Sequence, residues 1–475
     1  MNLHIRSLNS SPTLSLTELA GRVRRHTHFR VVVSYGISQG VVLLTSLARI
    51  PLIVSAIGSD GYGVAIAVSS LQAWVVLVIA SLPHLTRVSV SECLARNDIP
   101  GALQTFSDMR RRAKQLALVL FGFGILLAIS LPWSQLLHAQ GVTSSLGLRF
   151  GICLCVWLSA CSVPGSIYLG LLEANRRIAL TQSFIGMAGL LSLAATAVGW
   201  AIHLGLVPFL IAPALAACAP FWLAQVWGRR QVRVFKAQMS EDTLQTPRHA
   251  NTLLVRQHRP RDFLVMSGAA APPLFSTGLD PIVLSIATGP VVVAAYGLAS
   301  RIGLLVTVLP SALYPLYWAN FSRLRVAGDL ERIRQTYRKE LIPVVAGTVV
   351  LGIIFVAAGP HLAALLSAGK VQRPMLLYCS VAILGVFSAV QTITLPLLGG
   401  TKTAPRVALL VFGLIIPNEF LSYFLSRLVG AAGPILASIA ASLTLLGACF
   451  FMLWRDPHCV LERAPVTASL GTANE

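Results

Sequence analysis

The chain has 475 residues and a formal net charge of +20, yet only 11% of its residues are charged and 55% are hydrophobic. A soluble protein needs about a quarter of its residues charged to cover its surface, so this composition excludes a soluble multidomain protein. The basic residues lie in short segments between long apolar runs, as in membrane proteins, and we expect no nucleic-acid partner.

Twelve apolar segments are long enough to cross a bilayer, whose core of about 30 Å needs about 20 helical residues. In chain order these spans are 31–57, 62–83, 114–137, 147–172, 179–203, 205–227, 263–287, 290–318, 341–367, 374–398, 405–426 and 430–454. We therefore predict an all-α membrane protein with about twelve transmembrane helices. The segment before the first span has no apolar region of the kind found in a cleaved signal peptide.

Clusters of basic residues alternate with nearly uncharged turns along the chain. One cluster, Arg110 to Arg112, follows span 2, whereas the turn at 58–61 after span 1 has no basic residue. The segment 228–262 between spans 6 and 7 has eight basic and three acidic residues. By the positive-inside rule, this alternation predicts that both termini lie in the cytoplasm.

The sequence repeats itself weakly. Three pairs of short motifs recur in the same order: Tyr62-Gly63 with Tyr296-Gly297, Asp98 with Asp329, and LGLLEAN (169–175) with LPLLGGT (395–401). Their separations of 234, 231 and 226 residues change slowly, as small loop deletions would produce. Because each half has an even number of spans, the halves are predicted to be parallel repeats about an axis along the membrane normal.

These patterns predict five regions. They are an N-terminal cytoplasmic segment (1–30), a six-helix N-lobe (31–227), a basic cytoplasmic linker (228–262), a six-helix C-lobe (263–454) and a cytoplasmic tail (455–475). Asp98 and Asp329 are each predicted to cap a short cytoplasmic helix at the level of the lipid headgroups.

No catalytic motif is present in the sequence, and we expect the protein not to be an enzyme. It has no Walker A loop, no GxSxG and no HExxH, and its eight cysteines form neither a disulfide framework nor a metal site. The candidates for function are therefore the charged residues inside spans, each of which costs about 2.5–3.5 kcal/mol at a lipid-facing midplane. They are Arg49, Asp280, Arg301 and Glu419.

Several roles are open for these four residues. Arg49 and Asp280 occupy matching places in the two halves, so they are candidates for a pair across the cleft, static or breakable, for separate ligand or gating roles, or for reaching toward the membrane interface. Arg301 is suited to binding phosphate through its planar fork, or to pairing with Asp280 or a carbonyl at a helix end. Glu419 follows Pro417, and is a candidate either for a proton or cation site or for a hydrogen bond at the kink.

Three stretches of the chain resemble the Wzx-type polysaccharide (O-antigen) flippase family. They are ARIPLIVSAIGSDGYGVAIAVSSL (48–71), LDPIVLSIATGPVVVAAYGLASRIGLLV (279–306) and GAAGPILASIAASLTLL (430–446). That family belongs to the MOP exporter superfamily, with the MATE pumps and the lipid II flippases. The resemblance covers about residues 30–455 and implies two six-helix lobes in a V around a basic cavity.

The resemblance also implies a function. The protein is expected to flip an undecaprenyl-pyrophosphate-linked oligosaccharide across the bacterial inner membrane by alternating access, for surface or exopolysaccharide synthesis. Arg49 and Arg301 would bind the pyrophosphate, and Asp280 or Glu419 would serve gating or ion coupling. We expect no cofactor, with H⁺ or Na⁺ as candidate coupling ions, and membrane lipids and the glycan polymerase or export machinery as candidate partners.

Two other functions are considered. The first is a cation-coupled MATE-type exporter of small molecules, which would share the frame. The second is a membrane enzyme such as a glycan polymerase or ligase, which the short loops on the outer side disfavour.

Overall fold

Every regular element in the described part of the chain is a helix. The computed structural model describes residues 16–95, 98–175, 177–203, 205–243, 278–398, 401 and 403–461. Its α-helices are α1 (Leu16–Ala95), α2 (Ile99–Ser130), α3 (Trp133–Leu136), α4 (Ser145–Ala174), α5 (Ile178–Ala201), α6 (Val207–Thr243), α7 (Asp280–Thr288), α8 (Pro290–Ala327), α9 (Leu330–Leu366), α10 (Met375–Leu398), α11 (Ala404–Val429) and α12 (Gly433–Arg455). The predicted all-α fold is confirmed.

The predicted spans fall on these helices. Within the described residues, nine helical stretches are long and apolar enough to cross a membrane, and some of them hold two predicted spans. Helix α1 carries both span 1 and span 2. It consists of two helical parts that meet at a kink at Gly58 (φ 72°, ψ −176°), where the sequence predicts the turn between these spans. Of predicted span 7, residues 280–287 lie in α7 and residues 263–277 lie outside the described part of the chain.

Helices α2 and α9 correct the prediction of short cytoplasmic helices. Their N-caps are as predicted: Asp98 Oδ1 accepts a hydrogen bond from the Gly101 N–H at 2.8 Å, and Asp329 Oδ1 accepts one from the Arg332 N–H at 2.9 Å. Neither helix ends before its apolar span, however. The 32 residues of α2 form one rod about 48 Å long, because no proline or run of β-branched residues interrupts the basic segment.

The predicted linker is also partly helical. Helix α6 continues to Thr243, so residues 228–243 extend the last helix of the first half. The rest of the predicted linker, and residues 1–15 and 462–475 of the two predicted terminal segments, lie outside the described residues.

The backbone repeats between the two halves. Three pairs of turns contain residues with positive φ at matched places: Gly58 with Gly289, His138 with Ala368, and Gly205 with Gly430. Their separations are 231, 230 and 225 residues, which decrease along the chain as the motif separations do. The repeat therefore extends to the conformation of the turns, and it supports two lobes of common design.

Apolar packing shows how the two lobes meet. We call the end of the bundle with the turns at Gly58 and Gly289 the Gly58 end, and the opposite end, where α2 and α9 begin, the Asp98 end. One apolar cluster at the Gly58 end draws on both halves and contains Tyr62 and Tyr296. Two further clusters each draw on one half only, between residues 82 and 235 or between residues 317 and 461. The lobes thus share a core at the Gly58 end and have separate cores toward the Asp98 end.

At the seam between the lobes, α1 and α8 are in very close contact. A Cβ added to Gly63 would lie 1.8 Å from the Pro290 carbonyl oxygen, and one added to Gly297 would lie 2.0 Å from Ile66 Cδ1. Both glycines belong to the repeated Tyr-Gly motif. The repeat therefore supplies two positions at which α1 and α8 approach closely because no side chain stands between them.

Polar contacts reinforce this seam at the turn after α3. His138 Nδ1 lies 3.1 Å from the Ser285 carbonyl oxygen, and the Ser285 hydroxyl donates to the Leu137 carbonyl oxygen at 3.3 Å. Ser285 lies in α7, so these bonds join the first half to the second.

Candidate functional site

Arg49 and Asp280 occupy equivalent positions in the repeat. Arg49 lies nine residues before the turn glycine Gly58, and Asp280 lies nine residues before Gly289. Both side chains are buried, with 5% and 0% exposure, but they do not bond to each other. Each makes its hydrogen bonds within its own lobe, so the hypothesis of a direct Arg49–Asp280 pair is wrong for this conformation.

Arg49 is held by α5 of the N-lobe. Its Nε donates to Thr196 Oγ1 at 2.9 Å. Its Nη2 is buried and has no hydrogen-bond partner among the described residues. A buried guanidinium normally uses all its donors, so the unpaired Nη2 makes Arg49 a candidate for contact with an anionic group.

Arg301 reaches across the seam from α8 to α1. Its Nη1 donates to Ser46 Oγ at 3.3 Å, and its guanidinium carbon lies 6.0 Å from the centre of the Tyr62 ring. Arg49 is close enough for the two cations to repel each other. In the described part of the chain neither arginine contacts a carboxylate, and the buried Tyr62 hydroxyl has no partner. Asp280, the partner that the sequence offered as an alternative for Arg301, is not in contact with Arg301.

Asp280 lies in a pocket of hydroxyl groups in the C-lobe. Tyr296 donates to its Oδ2 at 3.2 Å, Ser422 donates to its Oδ1 at 3.2 Å, and Ser438 lies 3.5 Å from Oδ2. The two serines come from α11 and α12. Three helices of one lobe therefore converge on a single buried carboxylate.

Glu419 lies beside this pocket, one helical turn before Ser422 on α11. It is near enough to Asp280 for two charged carboxylates to repel each other. Glu419 Oε2 and both polar side-chain atoms of Asn418 are buried without hydrogen-bond partners among the described residues. Carboxylate, hydroxyl and amide oxygens are the ligands that hard cations prefer, and a shared proton would also relieve the repulsion.

The two charged pockets are related by the repeat but have opposite sign. Thr196 and Ser422 are separated by 226 residues, the same separation as the motifs LGLLEAN and LPLLGGT. The bond from Arg49 to Thr196 is therefore the N-lobe counterpart of the bond between Asp280 and Ser422. The position that holds the cation Arg49 in the N-lobe holds the anion Asp280 in the C-lobe.

Sequence reasoning identified the four charged residues but not the groups that hold them. No sequence pattern identified the hydroxyl residues that bond to these charges, because such residues are common in membrane helices. They are Ser46, Thr196, Ser422 and Ser438. The tyrosines at 62 and 296 did carry a sequence signal, since both precede a glycine in the repeated motif. Only the packing showed that each tyrosine contacts a charged group.

No protein-family model matches this sequence, and no curated protein matches it. Solved structures do match its fold. A mutant form of the Vibrio cholerae MATE transporter VcmN is similar with a TM-score of 0.58 and 16% identity, covering 91% of this chain and 97% of that one. The lipid II flippase MurJ in an inward closed conformation has a TM-score of 0.57 and 12% identity, covering 89% and 87%.

A third structure, the inward-facing conformation of a multidrug resistance MATE family transporter of the MOP superfamily, is similar with a TM-score of 0.57. Its identity is 12%, and the match covers 90% of this chain and 98% of that one. At such identities the likeness concerns the fold. The chain therefore has the two-lobe helical fold that MATE transporters and the MurJ flippase share, and it is a multi-pass membrane protein.

Proposed function

We propose that this protein is a flippase that moves an undecaprenyl-pyrophosphate-linked oligosaccharide across the bacterial inner membrane by alternating access. The observation that carries the proposal is the pair of arginines, one from each lobe, with no carboxylate partner among the described residues. Two guanidinium groups, with the Nη2 of Arg49 unpaired among the described residues, match the charge of a pyrophosphate. The flippase resemblance of the sequence supports the same substrate.

The C-lobe pocket supports ion coupling. Asp280 is buried and the neighbouring Glu419 is half-buried, and a proton or Na⁺ would offset the repulsion between the two carboxylates. In this proposal the cation binds there, while the substrate phosphates bind at Arg49 and Arg301. Membrane lipids surround the protein, and the glycan polymerase or export machinery would receive the flipped product.

The basic segments support an orientation of the protein in the membrane. The positive-inside rule would put the Asp98 end in the cytoplasm, with both termini. The conformation with lobes joined at the Gly58 end would then be closed to the outside. A substrate entering from the cytoplasmic leaflet would then reach the arginines from the Asp98 end.

The test is to replace Arg49 and Arg301 singly by alanine in a strain that lacks the chromosomal copy. We expect surface polysaccharide to be lost and lipid-linked oligosaccharide to accumulate in the inner leaflet, at normal protein levels. Arg149→Ala is the matched control, because Arg149 is exposed near the Gly58 end. Unchanged surface polysaccharide in both test variants would contradict the phosphate-binding role.

A second function, cation-coupled export of small molecules, is favoured by the likeness to MATE transporter structures. The Asp280 and Glu419 pocket would serve it equally well. Drug-resistance assays in a pump-deficient host distinguish the two functions. Resistance conferred by the wild-type chain and lost in Asp280→Asn would favour the exporter.

A further inference from the structure

The repeated Tyr-Gly motif connects both charged pockets to the seam between the lobes. Tyr62 and Tyr296 are buried, with 0% and 2% exposure. Tyr62 lies under Arg301 and near Arg49, and Tyr296 bonds to Asp280. The glycine after each tyrosine is a point of closest approach between α1 and α8. Each copy of the motif thus pairs a charged group with a packing contact.

Helix α8 connects the two pockets. Tyr296, whose hydroxyl donates to Asp280 Oδ2, lies five residues before Arg301, about 7.5 Å along the helix axis. Arg301 bonds to Ser46 of the opposite lobe. Less than two turns of one helix therefore join the carboxylate pocket to a contact across the seam.

A cation or proton on Asp280 must change the bond to Tyr296. The phenol donates to the charged carboxylate, and that bond is stronger than one to a neutral acceptor. When the carboxylate charge is neutralised, the bond weakens or its direction reverses. Because Tyr296 is packed into the core that both lobes share, it cannot move without disturbing α8 at the seam.

We propose that Tyr296 is a positioning residue that couples cation occupancy at Asp280 to the Arg301–Ser46 contact between the lobes. The inference rests on the proposed ion coupling at Asp280. Tyr62, in the matching motif, faces the arginine pair instead, so its hydroxyl does not take part in sensing the cation. The two tyrosines therefore differ in function although they occupy related positions.

The experiment uses the purified full-length protein in nanodiscs. Spin labels are carried by non-canonical amino acids at Gln140 and Gln372, two exposed positions near the Gly58 end, one in each lobe. This labelling leaves the native cysteines in place. The distance between the labels is measured against NaCl at constant ionic strength, and against pH, so that Na⁺ and H⁺ are distinguished.

We expect the wild-type distance distribution to respond to one of these cations, and Asp280→Asn to abolish the response. Tyr296→Phe keeps the ring and removes only the hydroxyl. It should shift the midpoint of the response by about tenfold or abolish it, while the distribution without cation stays as in wild type. Tyr62→Phe, the matched control, should respond like the wild type.

Three results would overturn the inference. A response in Tyr296→Phe with the wild-type midpoint would show that the hydroxyl transmits nothing, while the coupling at Asp280 would stand. A wild-type protein that responds to neither cation would overturn both the coupling and this inference. Ser46→Ala provides a second variant that spares the carboxylate pocket, and it should weaken the response in the same way. An unchanged response in Ser46→Ala would rule out transmission through Arg301.

Discussion

At the scale of single residues, the structure depends on how buried charge is compensated. A charge in an apolar span must be paired, hydrogen-bonded or neutralised. Asp280 receives bonds from three hydroxyl groups, whereas Arg49 has one bond and a free Nη2. The same place in the repeat therefore holds an anion with several hydrogen bonds in the C-lobe and a cation with few in the N-lobe. In the proposed function the first would exchange a small cation, and the second would receive an anionic group.

The first prediction concerns the carboxylate. Asp280→Asn preserves the shape of the side chain and removes its charge, so transport that depends on a cation should fall by about tenfold or more. The unfolding temperature in detergent should stay the same or rise, because a buried charge has been removed. Asp60→Asn at the exposed turn of α1 is the control. A large fall in unfolding temperature for Asp280→Asn alone would indicate a structural role instead.

At the scale of helices, the starts of α2 and α9 and the contact of α1 with α8 depend on different interactions. Asp98 and Asp329 start α2 and α9 through local side-chain caps, which is why both starts are visible in the sequence. The contact of α1 with α8 instead depends on the absence of side chains at Gly63 and Gly297. Glycine is common in membrane helices for several reasons, so its role here became clear only from the packing.

The second prediction tests that contact. Gly63→Ala places a Cβ 1.8 Å from a backbone oxygen, so α1 and α8 must separate. We expect a loss of about 1–3 kcal/mol in the free energy of unfolding. The distance between spin labels at Gln140 and Gln372, near the Gly58 end, should increase. The control is Gly122→Ala in α2, where no atom lies within 4 Å of the added Cβ and alanine favours the helix. Equal stability of the two variants would contradict the tight seam.

The third prediction tests a helix start. Asp98→Ala removes the acceptor for the Gly101 N–H and should cost about 1 kcal/mol in stability, with fraying of the first turn of α2. Hydrogen exchange at the amides of Gly101 and Ala102, which both bond to Asp98, would report the fraying. Asp108→Ala, an exposed position inside the same helix, should leave that exchange unchanged.

At the scale of the whole molecule, the distribution of apolar clusters sets the shape. The shared cluster joins the lobes at the Gly58 end, and the two other clusters stabilise each lobe separately. Such a molecule can open or close at one end while each lobe stays intact. Alternating access in the proposed function requires the seam to break and re-form, and the bonds of Ser285 to His138 and Leu137 lie in that seam.

The fourth prediction is that locking the seam stops transport. A double variant, His138→Cys with Ser285→Cys, joined by a short bis-methanethiosulfonate crosslinker, should lose transport and regain it when the disulfide bonds to the crosslinker are reduced. Each single variant treated with the same reagent is the control for modification alone. Full transport in the crosslinked double variant would show that this end of the molecule does not need to open.

The sequence by itself determined the class of protein, the helices and the duplication. Spans of apolar residues, charge alternation and helix caps are local properties, so they were readable without a fold. It also singled out Arg49, Asp280, Arg301 and Glu419, because charge inside an apolar span is conspicuous. It misjudged the extent of α2 and α9, since nothing local marks where a continuous helix leaves the bilayer.

Only the tertiary structure decided which groups meet. It separated Arg49 from Asp280 and brought Arg49 to Thr196 and Arg301 to Ser46. These contacts join residues more than 140 positions apart, and they depend on how α1, α5 and α8 pack. Packing depends on how whole surfaces fit together. The sequence alone therefore showed the charge of each pocket, but not the side chains that bond to that charge or how the pocket connects to the seam.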